Sequence, residues 1–153
     1  MKKLLFCLLV SFSLSVFSQN TAQRAANFNV EKNLAIKGYD PVAYFKSNKA
    51  VKGKSNLGFS HEGILYHFSS KENREAFAKN PLAYEPQYGG WCAFAMGDYG
   101  KKVEVNPETF KITDGKLYLF YNAFLNNTLK DWNKDEKNLK AKADVNWKKF
   151  IKP

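Results

Sequence analysis

This sequence has few of the residues that build disulfide frameworks or closed metal sites. It contains two cysteines and two histidines among 153 residues. Cys7 lies in an N-terminal apolar run, so loss of that run leaves Cys92 as the lone thiol. A lone cysteine excludes an intramolecular disulfide, and in an oxidising compartment it indicates a reactive thiol, a metal ligand or an intermolecular partner. The alternative is that Cys92 is buried as a small apolar side chain.

Common catalytic motifs are also absent. The sequence has no G-x-S-x-G nucleophile elbow, no phosphate-binding glycine loop and no H-E-x-x-H. A nucleophilic pair of Cys92 and His67 stays open, because geometry decides whether a thiol and an imidazole meet. The sequence therefore favours a protein that binds over one that catalyses.

Long apolar runs are restricted to the N-terminus. Lys2 and Lys3 precede an apolar stretch from 4 to 16, and small residues suited to a cleavage site end at Ser18. This stretch is too short for a stable membrane span, which needs about 20 apolar residues. We predict that residues 1–18 are a cleaved signal peptide. The mature protein is then periplasmic or secreted in a bacterial envelope, without a stable membrane span.

Arginine is scarce although the chain is basic. The formal net charge is +10, and it falls to +8 if Lys2 and Lys3 leave with the signal peptide. Arg24 and Arg74 are the only arginines, and the lysines are scattered along the chain. Nucleic-acid binding needs a clustered basic patch, so we expect no nucleic-acid partner. The charge instead indicates solubility or attraction to an anionic envelope surface.

Two β-hairpins are predicted from turn residues between alternating apolar positions. The first spans 56–69 and turns at Glu62-Gly63, and the second spans 109–121 and turns at Asp114-Gly115. A two-residue turn determines which residues of the first hairpin lie opposite each other. Successive pairs then lie on alternate faces of the sheet.

That register has consequences for the first hairpin. It places Leu57 opposite Phe68 on the core face. It also places His61 and His67 on opposite faces, so we do not expect one ion to be held by both histidines.

Helices are predicted at four places after residue 39. Asp40 is the expected N-cap of a short helix that begins at Pro41, and Ser69 is the expected N-cap of the next. The chain closes with two helices, at 122–132, with Leu125 on its apolar face, and at 135–151. 

The predicted fold class is α+β. We expect one small domain at 30–151, in which two β-hairpins pack against short helices and two C-terminal helices. The polar, alanine-containing segment at 19–29 is predicted to be a flexible leader.

Several short motifs follow one another in an order that is typical of one domain family. They are Ile36-Lys37-Gly38-Tyr39-Asp40-Pro41-Val42-Ala43-Tyr44-Phe45, Tyr66-His67-Phe68-Ser69-Ser70, Glu72-Asn73-Arg74-Glu75-Ala76-Phe77, Asn80-Pro81, Tyr84-Glu85-Pro86-Gln87-Tyr88-Gly89-Gly90-Trp91-Cys92-Ala93 and Asp114-Gly115-Lys116-Leu117-Tyr118-Leu119. The second motif resembles the signature from which the YHS domain takes its name. The resemblance covers roughly Val30 to Phe150 and is to the exported, stand-alone branch of that family.

This resemblance implies a binding role. YHS domains are small α+β modules, often attached to metal-transporting ATPases and oxygenases, and they are usually supposed to bind metals. The metal-associated members typically carry more than one cysteine, whereas the mature form of this chain has Cys92 alone. A tetrahedral zinc site with four cysteine or histidine ligands is therefore not expected.

The candidate metal ligands are Cys92, Met96 and His67. If 91–96 forms the start of a helix, Cys92 and Met96 lie four residues apart on one face. A thiolate and a thioether are soft ligands that suit Cu(I) or a heavy metal. His67 is a third ligand or a stabiliser of the thiolate. The alternatives are that Met96 fills the core and that His67 is a hydrogen-bonded structural residue.

Three functions remain open at this point. The first is a module that binds copper, another soft metal ion or a small ligand at Cys92. The second is a thiol-based redox enzyme or sensor, in which Cys92 passes through a sulfenic acid or a mixed disulfide. The third is a structural or interaction module with a buried, inert cysteine. The oligomeric state is not determined by the sequence.

Overall fold

The computed structural model describes residues 21–151, and the predicted signal peptide at 1–18 lies outside them. The helices are 21–27 (α1), Pro41–Ser47 (α2), Lys71–Lys79 (α3), Ala93–Asp98 (α4), Thr128–Trp132 (α5) and Glu136–Phe150 (α6). The strands are Val30–Glu31 (β1), Leu34–Ala35 (β2), Lys54–His61 (β3), Ile64–Phe68 (β4), Asn106–Thr113 (β5), Lys116–Phe120 (β6), Asn122–Ala123 (β7) and Asn126–Asn127 (β8). The predicted α+β class is confirmed. Within this part of the chain no helix is both long and apolar enough to cross a bilayer.

The first predicted hairpin is confirmed, with one error in its register. Strands β3 and β4 belong to a four-stranded sheet of order β1-β2-β4-β3, and His61 lies opposite Ile64 as expected. The pairing shifts between Lys54 and Gly58, so that Lys54 lies opposite Phe68. The prediction that Leu57 faces Phe68 is therefore wrong, because a β-bulge in β3 inserts residues that a regular ladder does not have.

The second predicted hairpin is confirmed with its turn. Asp114 and Gly115 have φ values of 53° and 67°, as a type I′ turn requires, and Phe110 lies opposite Leu119. Both faces of β6 are buried, because alternate residues of this strand pack into two different hydrophobic clusters.

The core consists of these two clusters, which β6 separates. The buried members of the first cluster are Ala35, Ile36, Val42, Tyr44, Ile64, Tyr66, Phe68, Phe77, Cys92, Ala95, Val105, Leu117 and Leu119. Those of the second cluster are Tyr88, Ala93, Met96, Tyr118, Phe120, Trp132, Leu139 and Ala143. Helix α4 contributes to both clusters, and it lies so close to α6 that a Cβ on Gly97 would be 2.5 Å from the carbonyl oxygen of Leu139.

The helix caps were predicted correctly at α2 and one residue early at α3. Asp40 accepts hydrogen bonds from the backbone N–H groups of Val42 and Ala43, which confirms it as the N-cap. The N-cap of α3 is Ser70, whose side chain accepts from the N–H of Asn73, and not Ser69. The hydroxyl of Ser69 is instead committed to Asp40, as described below.

The predicted helix at 122–132 is wrong in its first half. Residues Asn122 to Asn127 form the short β7–β8 hairpin, and only the five residues of α5 are helical. Leu125, predicted to lie on a buried helix face, is fully exposed at the tip of this hairpin. The last helix, α6, matches its prediction within one residue at each end and buries Leu139 and Ala143.

Residues 21–27, within the predicted flexible leader, form a helix that contacts the domain. Arg24 of α1 donates through Nη2 to Oε1 of Glu85. The backbone oxygen of Asn27 accepts a hydrogen bond from Nε1 of Trp91 at 2.7 Å, and the N–H of Asn29 donates to the oxygen of Gly89 at 2.8 Å. The segment is thus joined to the loop that precedes Cys92.

Candidate functional site

The backbone around Cys92 is fixed from both sides. Gly89 and Gly90 have φ values of 60° and 83°, and a Cβ on Gly89 would lie 2.9 Å from the Trp147 ring and 3.1 Å from Cα of Phe28. Only glycine fits at position 89, because both its conformation and its surroundings exclude a side chain. Cys92 then forms an isolated parallel bridge to Leu119 and is the N-cap of α4.

The thiol of Cys92 is buried and has polar neighbours. Its side chain is 0% exposed. The N–H of Tyr121 donates to Sγ at 3.3 Å, and Oγ1 of Thr128 lies 3.4 Å from Sγ. Thr128 also donates through Oγ1 to the carbonyl oxygen of Tyr121 at 3.0 Å. Because the Thr128 hydroxyl donates to Tyr121, the thiol is the donor in the contact between Sγ and Oγ1. Cys92, Thr128 and Tyr121 then form a ring of hydrogen bonds in which each of these polar groups has a partner.

Cys92 is one of the residues that line a pocket of about 280 Å³. The lining residues are Cys92, Phe94, Ala95, Tyr99, Val103, Tyr121, Asn126, Thr128 and Asp131. Three aromatic side chains give the pocket an apolar wall, and Asn126, Thr128 and Asp131 give it hydrogen-bonding groups. Such a mixture is typical of sites for small organic molecules.

The only acidic or basic residue in this lining is Asp131. Its Oδ1 accepts a hydrogen bond from Lys134 at 2.7 Å, on an exposed surface. Partial desolvation and the neighbouring carboxylates of Asp98 and Asp131 raise the pKa of Tyr99, so its hydroxyl is neutral at physiological pH. The Asp131 carboxylate favours neutral or cationic molecules over anions, although its ion pair with Lys134 reduces this preference.

Met96 lies outside this pocket. Cys92 is the N-cap of α4 and has a ψ of 116°, so it lies outside the helix, which begins at Ala93. The regular helical spacing that would place Cys92 and Met96 on one face therefore does not apply to this pair. The Met96 side chain packs into the second cluster, with Tyr88 and Trp132, whereas Cys92 belongs to the first. The structure therefore does not bring the thiol and the thioether into one site.

His67 also lies away from the pocket. It is on the face of β4 opposite to Tyr66 and Phe68, which pack in the cluster that contains Cys92. Gly38 and Gly53 cover it: a Cβ on Gly38 would lie 3.5 Å from Nδ1 of His67, and one on Gly53 would lie 2.4 Å from its backbone carbonyl carbon. Across residues 21–151, no three His, Cys, Asp or Glu side chains are grouped so that they could hold a metal ion.

The other side chains of the run at 66–70 contribute to the fold. The hydroxyl of Tyr66 donates to Oε1 of the buried Glu85 at 2.6 Å. Ser69 donates through its N–H and its hydroxyl to Oδ2 of Asp40, at 2.8 Å and 2.6 Å. These contacts connect β4 with α2 and with the loop before Cys92, so this run positions the pocket without lining it.

Sequence reasoning missed the polar partners of the thiol. Tyr121 and Thr128 contact Sγ, and both flank the β7–β8 hairpin that was predicted as a helix. In the predicted helix at 122–132, Thr128 lies on the same apolar face as Leu125, so its position did not indicate a contact with the thiol. Thr128 reaches Cys92 because the chain reverses direction at the turn between β7 and β8.

Searches of models of protein families, of curated proteins and of solved structures gave no match to this chain. 

Proposed function

We propose that this protein is an exported, YHS-like module that binds a small ligand in the pocket above Cys92. The observation that carries the proposal is the position of Cys92, which lines a partly apolar pocket and whose sulfur is hydrogen-bonded by Tyr121 and Thr128. The motifs shared with the exported YHS branch support a binding role. Full burial of the thiol speaks against exchange with a protein disulfide, which needs the sulfur at the surface, whereas a small molecule needs only to enter the pocket that Cys92 lines.

A small organic ligand suits this pocket better than a soft metal ion. A soft ion prefers several sulfur or imidazole ligands, and Cys92 is the only such side chain in the lining. Thr128 and Asp131 offer oxygen atoms, which are hard ligands. The aromatic wall and the single carboxylate instead fit a neutral or cationic molecule with an apolar part.

Alkylation of Cys92 tests whether small molecules reach the thiol through this pocket. The rates at which bromoethylamine, iodoacetamide and iodoacetate alkylate Cys92 in the folded chain would be measured from the mass of the Cys92 peptide. Each rate would then be divided by the rate of the same reagent with the chain unfolded in urea. We expect the order cationic, neutral, anionic, with about a fivefold difference between the extremes from the Asp131 charge. Asp131→Asn removes that difference, and the control Asp135→Asn, outside the pocket lining, keeps it.

Two results would contradict the proposal. If folded Cys92 is inert to all three reagents, it is a buried structural thiol. If the three normalised rates are equal, the thiol is reached by a route that Asp131 does not border.

A titration with Cu(I) or Hg(II) separates the metal hypothesis from the small-ligand hypothesis. We expect the wild type to bind Cu(I) no more tightly than Cys92→Ser does, because Cys92 is the only soft ligand in the pocket lining. Tight binding that Cys92→Ser abolishes would support the metal hypothesis, and Met96→Leu should leave such binding unchanged because Met96 lies in the other cluster. Loss of binding in Met96→Leu would show that the thioether reaches the ion and would restore the predicted ligand pair. Native mass spectrometry of the purified protein then identifies what the pocket retains.

A further inference from the structure

The tip of the β7–β8 hairpin exposes two large apolar side chains. Phe124 is 95% exposed and Leu125 is 108% exposed, whereas the next most exposed large aliphatic or aromatic side chain among residues 21–151, Leu82, is 72% exposed. Single exposed apolar residues are common on soluble proteins. Two adjacent ones at the end of a projecting turn are less common and call for a reason.

The backbone at this tip is unfavourable for the residues that occupy it. Phe124 and Leu125 have φ values of 51° and 66°, in the left-handed region, which is the conformation of a type I′ turn. Asn-Gly is the preferred sequence for such a turn, and bulky residues are strained there. The tip therefore combines an exposed apolar surface with backbone strain. Residues that break local rules in this way are concentrated at functional sites.

The hairpin is held firmly at its base. Nδ2 of Asn122 donates to Oγ1 of Thr109 at 2.9 Å, and the N–H of Thr128 donates to the oxygen of Tyr121 at 3.0 Å. Asn127 caps α5 by accepting from the N–H of Leu129 at 3.1 Å. The two apolar side chains are thus presented by a fixed support, so little ordering is needed when they are buried.

The net charge of the molecule, and not charges at the tip itself, suits an anionic surface. No charged residue occurs from Asn122 to Leu129, and the flanking asparagines are uncharged hydrogen-bonding groups. The formal charge of +10 falls to +8 when Lys2 and Lys3 leave with the predicted signal peptide, so a negatively charged surface attracts the mature molecule. 

We propose that Phe124 and Leu125 insert into the surface of an anionic lipid bilayer. An exposed pair of apolar side chains without charged neighbours in 122–129 suits a fluid phase, which needs no complementary shape. The asparagines on either side reach the headgroup level, where they keep hydrogen bonds. Two weak signals act together, because a small apolar insertion alone gives marginal binding and the positive charge adds to it. Asn126 lines the Cys92 pocket, so the inserted tip adjoins that pocket.

Vesicle co-sedimentation with a turn-improving variant tests this proposal. The mature chain from residue 19, without the predicted apolar signal peptide, would be mixed with vesicles of phosphatidylglycerol and phosphatidylethanolamine, or of phosphatidylcholine alone. In the double variant Phe124→Asn with Leu125→Gly, the tip takes the preferred type I′ sequence, so folding is maintained or improved. We expect the wild type to bind the anionic vesicles, and the double variant to bind at least about tenfold more weakly. Leu82→Asn, an exposed apolar residue elsewhere, should bind like the wild type.

Several results would overturn the proposal. They are no binding of the wild type to anionic vesicles, equal binding of the double variant, and an equal loss in Leu82→Asn. Equal binding of the wild type to phosphatidylcholine vesicles would remove the role of charge, and with it the choice of an anionic surface. Circular dichroism and Tm confirm that each variant is folded, with the Tm of the double variant equal to or above that of the wild type.

Discussion

Asp40 is a single residue that joins three parts of the chain. Its carboxylate is fully buried and accepts five hydrogen bonds. Two come from the N–H groups at the start of α2, two from Ser69, and one from Nδ2 of Asn73 in α3. The carboxylate thus replaces the water that these five donors would otherwise bind.

Substitution of Asp40 should destabilise the fold strongly. In Asp40→Ala the five donors lose their acceptor inside the protein, and buried donors without partners are costly. We expect a loss of about 3–5 kcal/mol in the free energy of unfolding, measured by urea denaturation. The control is Asp135→Ala, at the exposed start of α6, where the side chain makes no cap hydrogen bond. A loss below about 1 kcal/mol in Asp40→Ala would show that water replaces the carboxylate.

At the residue scale the sequence predicted what depends on neighbours along the chain. The cap at Asp40 follows from the proline after it and the helix that Pro41 begins. The partner of Cys92 did not follow, because Thr128 lies 36 residues away and reaches the thiol only through the turn at Phe124 and Leu125. A lone thiol in a sequence carries no information about such distant contacts.

At the element scale, turn chemistry decided which predictions were right. Glu62-Gly63 and Asp114-Gly115 carry glycine where φ is positive, and both hairpins were found. The hairpin at Asn122–Asn127 has Phe and Leu at those positions, so the apolar spacing of Leu125, Leu129 and Trp132 indicated a helix instead. The same departure from turn chemistry that misled the prediction is the basis for assigning a function to the tip.

The contact between β5 and α6 should make stability depend on pH. Lys111 donates through Nζ to Oε2 of Glu136 at 2.6 Å, and Thr113 donates to Oε1 at 2.9 Å. Partial burial works to raise the pKa of Glu136, but the hydrogen bonds outweigh it and the pKa is lowered from 4.5. A lowered pKa in the folded state means that the contact stabilises the protein above about pH 4.5 and loses this effect as the pH falls below it.

Glu136→Gln tests this contact. We expect it to lower the free energy of unfolding at pH 7 by at most about 1 kcal/mol, since the pair is partly exposed. The difference between variant and wild type should shrink as the pH falls below 4.5. Lys111→Met, which removes the other partner, should show the same trend in urea unfolding at several pH values. A difference that stays constant down to acidic pH would assign the effect to packing.

At the scale of the whole molecule, the N-terminal helix is connected to the core by a buried ion pair. Arg24 of α1 contacts Glu85, which also accepts the hydrogen bond from Tyr66. Burial and the adjacent Glu85 carboxylate hold the pKa of Tyr66 well above its usual value, so the phenol remains a donor. The contact between Arg24 and Glu85 could not be predicted, because the segment at 19–29 is short and polar and the two residues are 61 positions apart.

Removal of the arginine therefore distinguishes an integral helix from a flexible leader. Arg24→Ala leaves the Glu85 carboxylate buried without its cation, and we expect a loss of about 3–5 kcal/mol in urea unfolding. Adding Glu85→Gln should recover part of this loss, because a neutral amide is less costly to bury and still accepts from Tyr66. A double-mutant cycle with Glu85→Gln alone isolates the pair. Unchanged stability in Arg24→Ala would mean that α1 contributes nothing to the fold, and the domain would then begin near Val30, as its sequence pattern predicts.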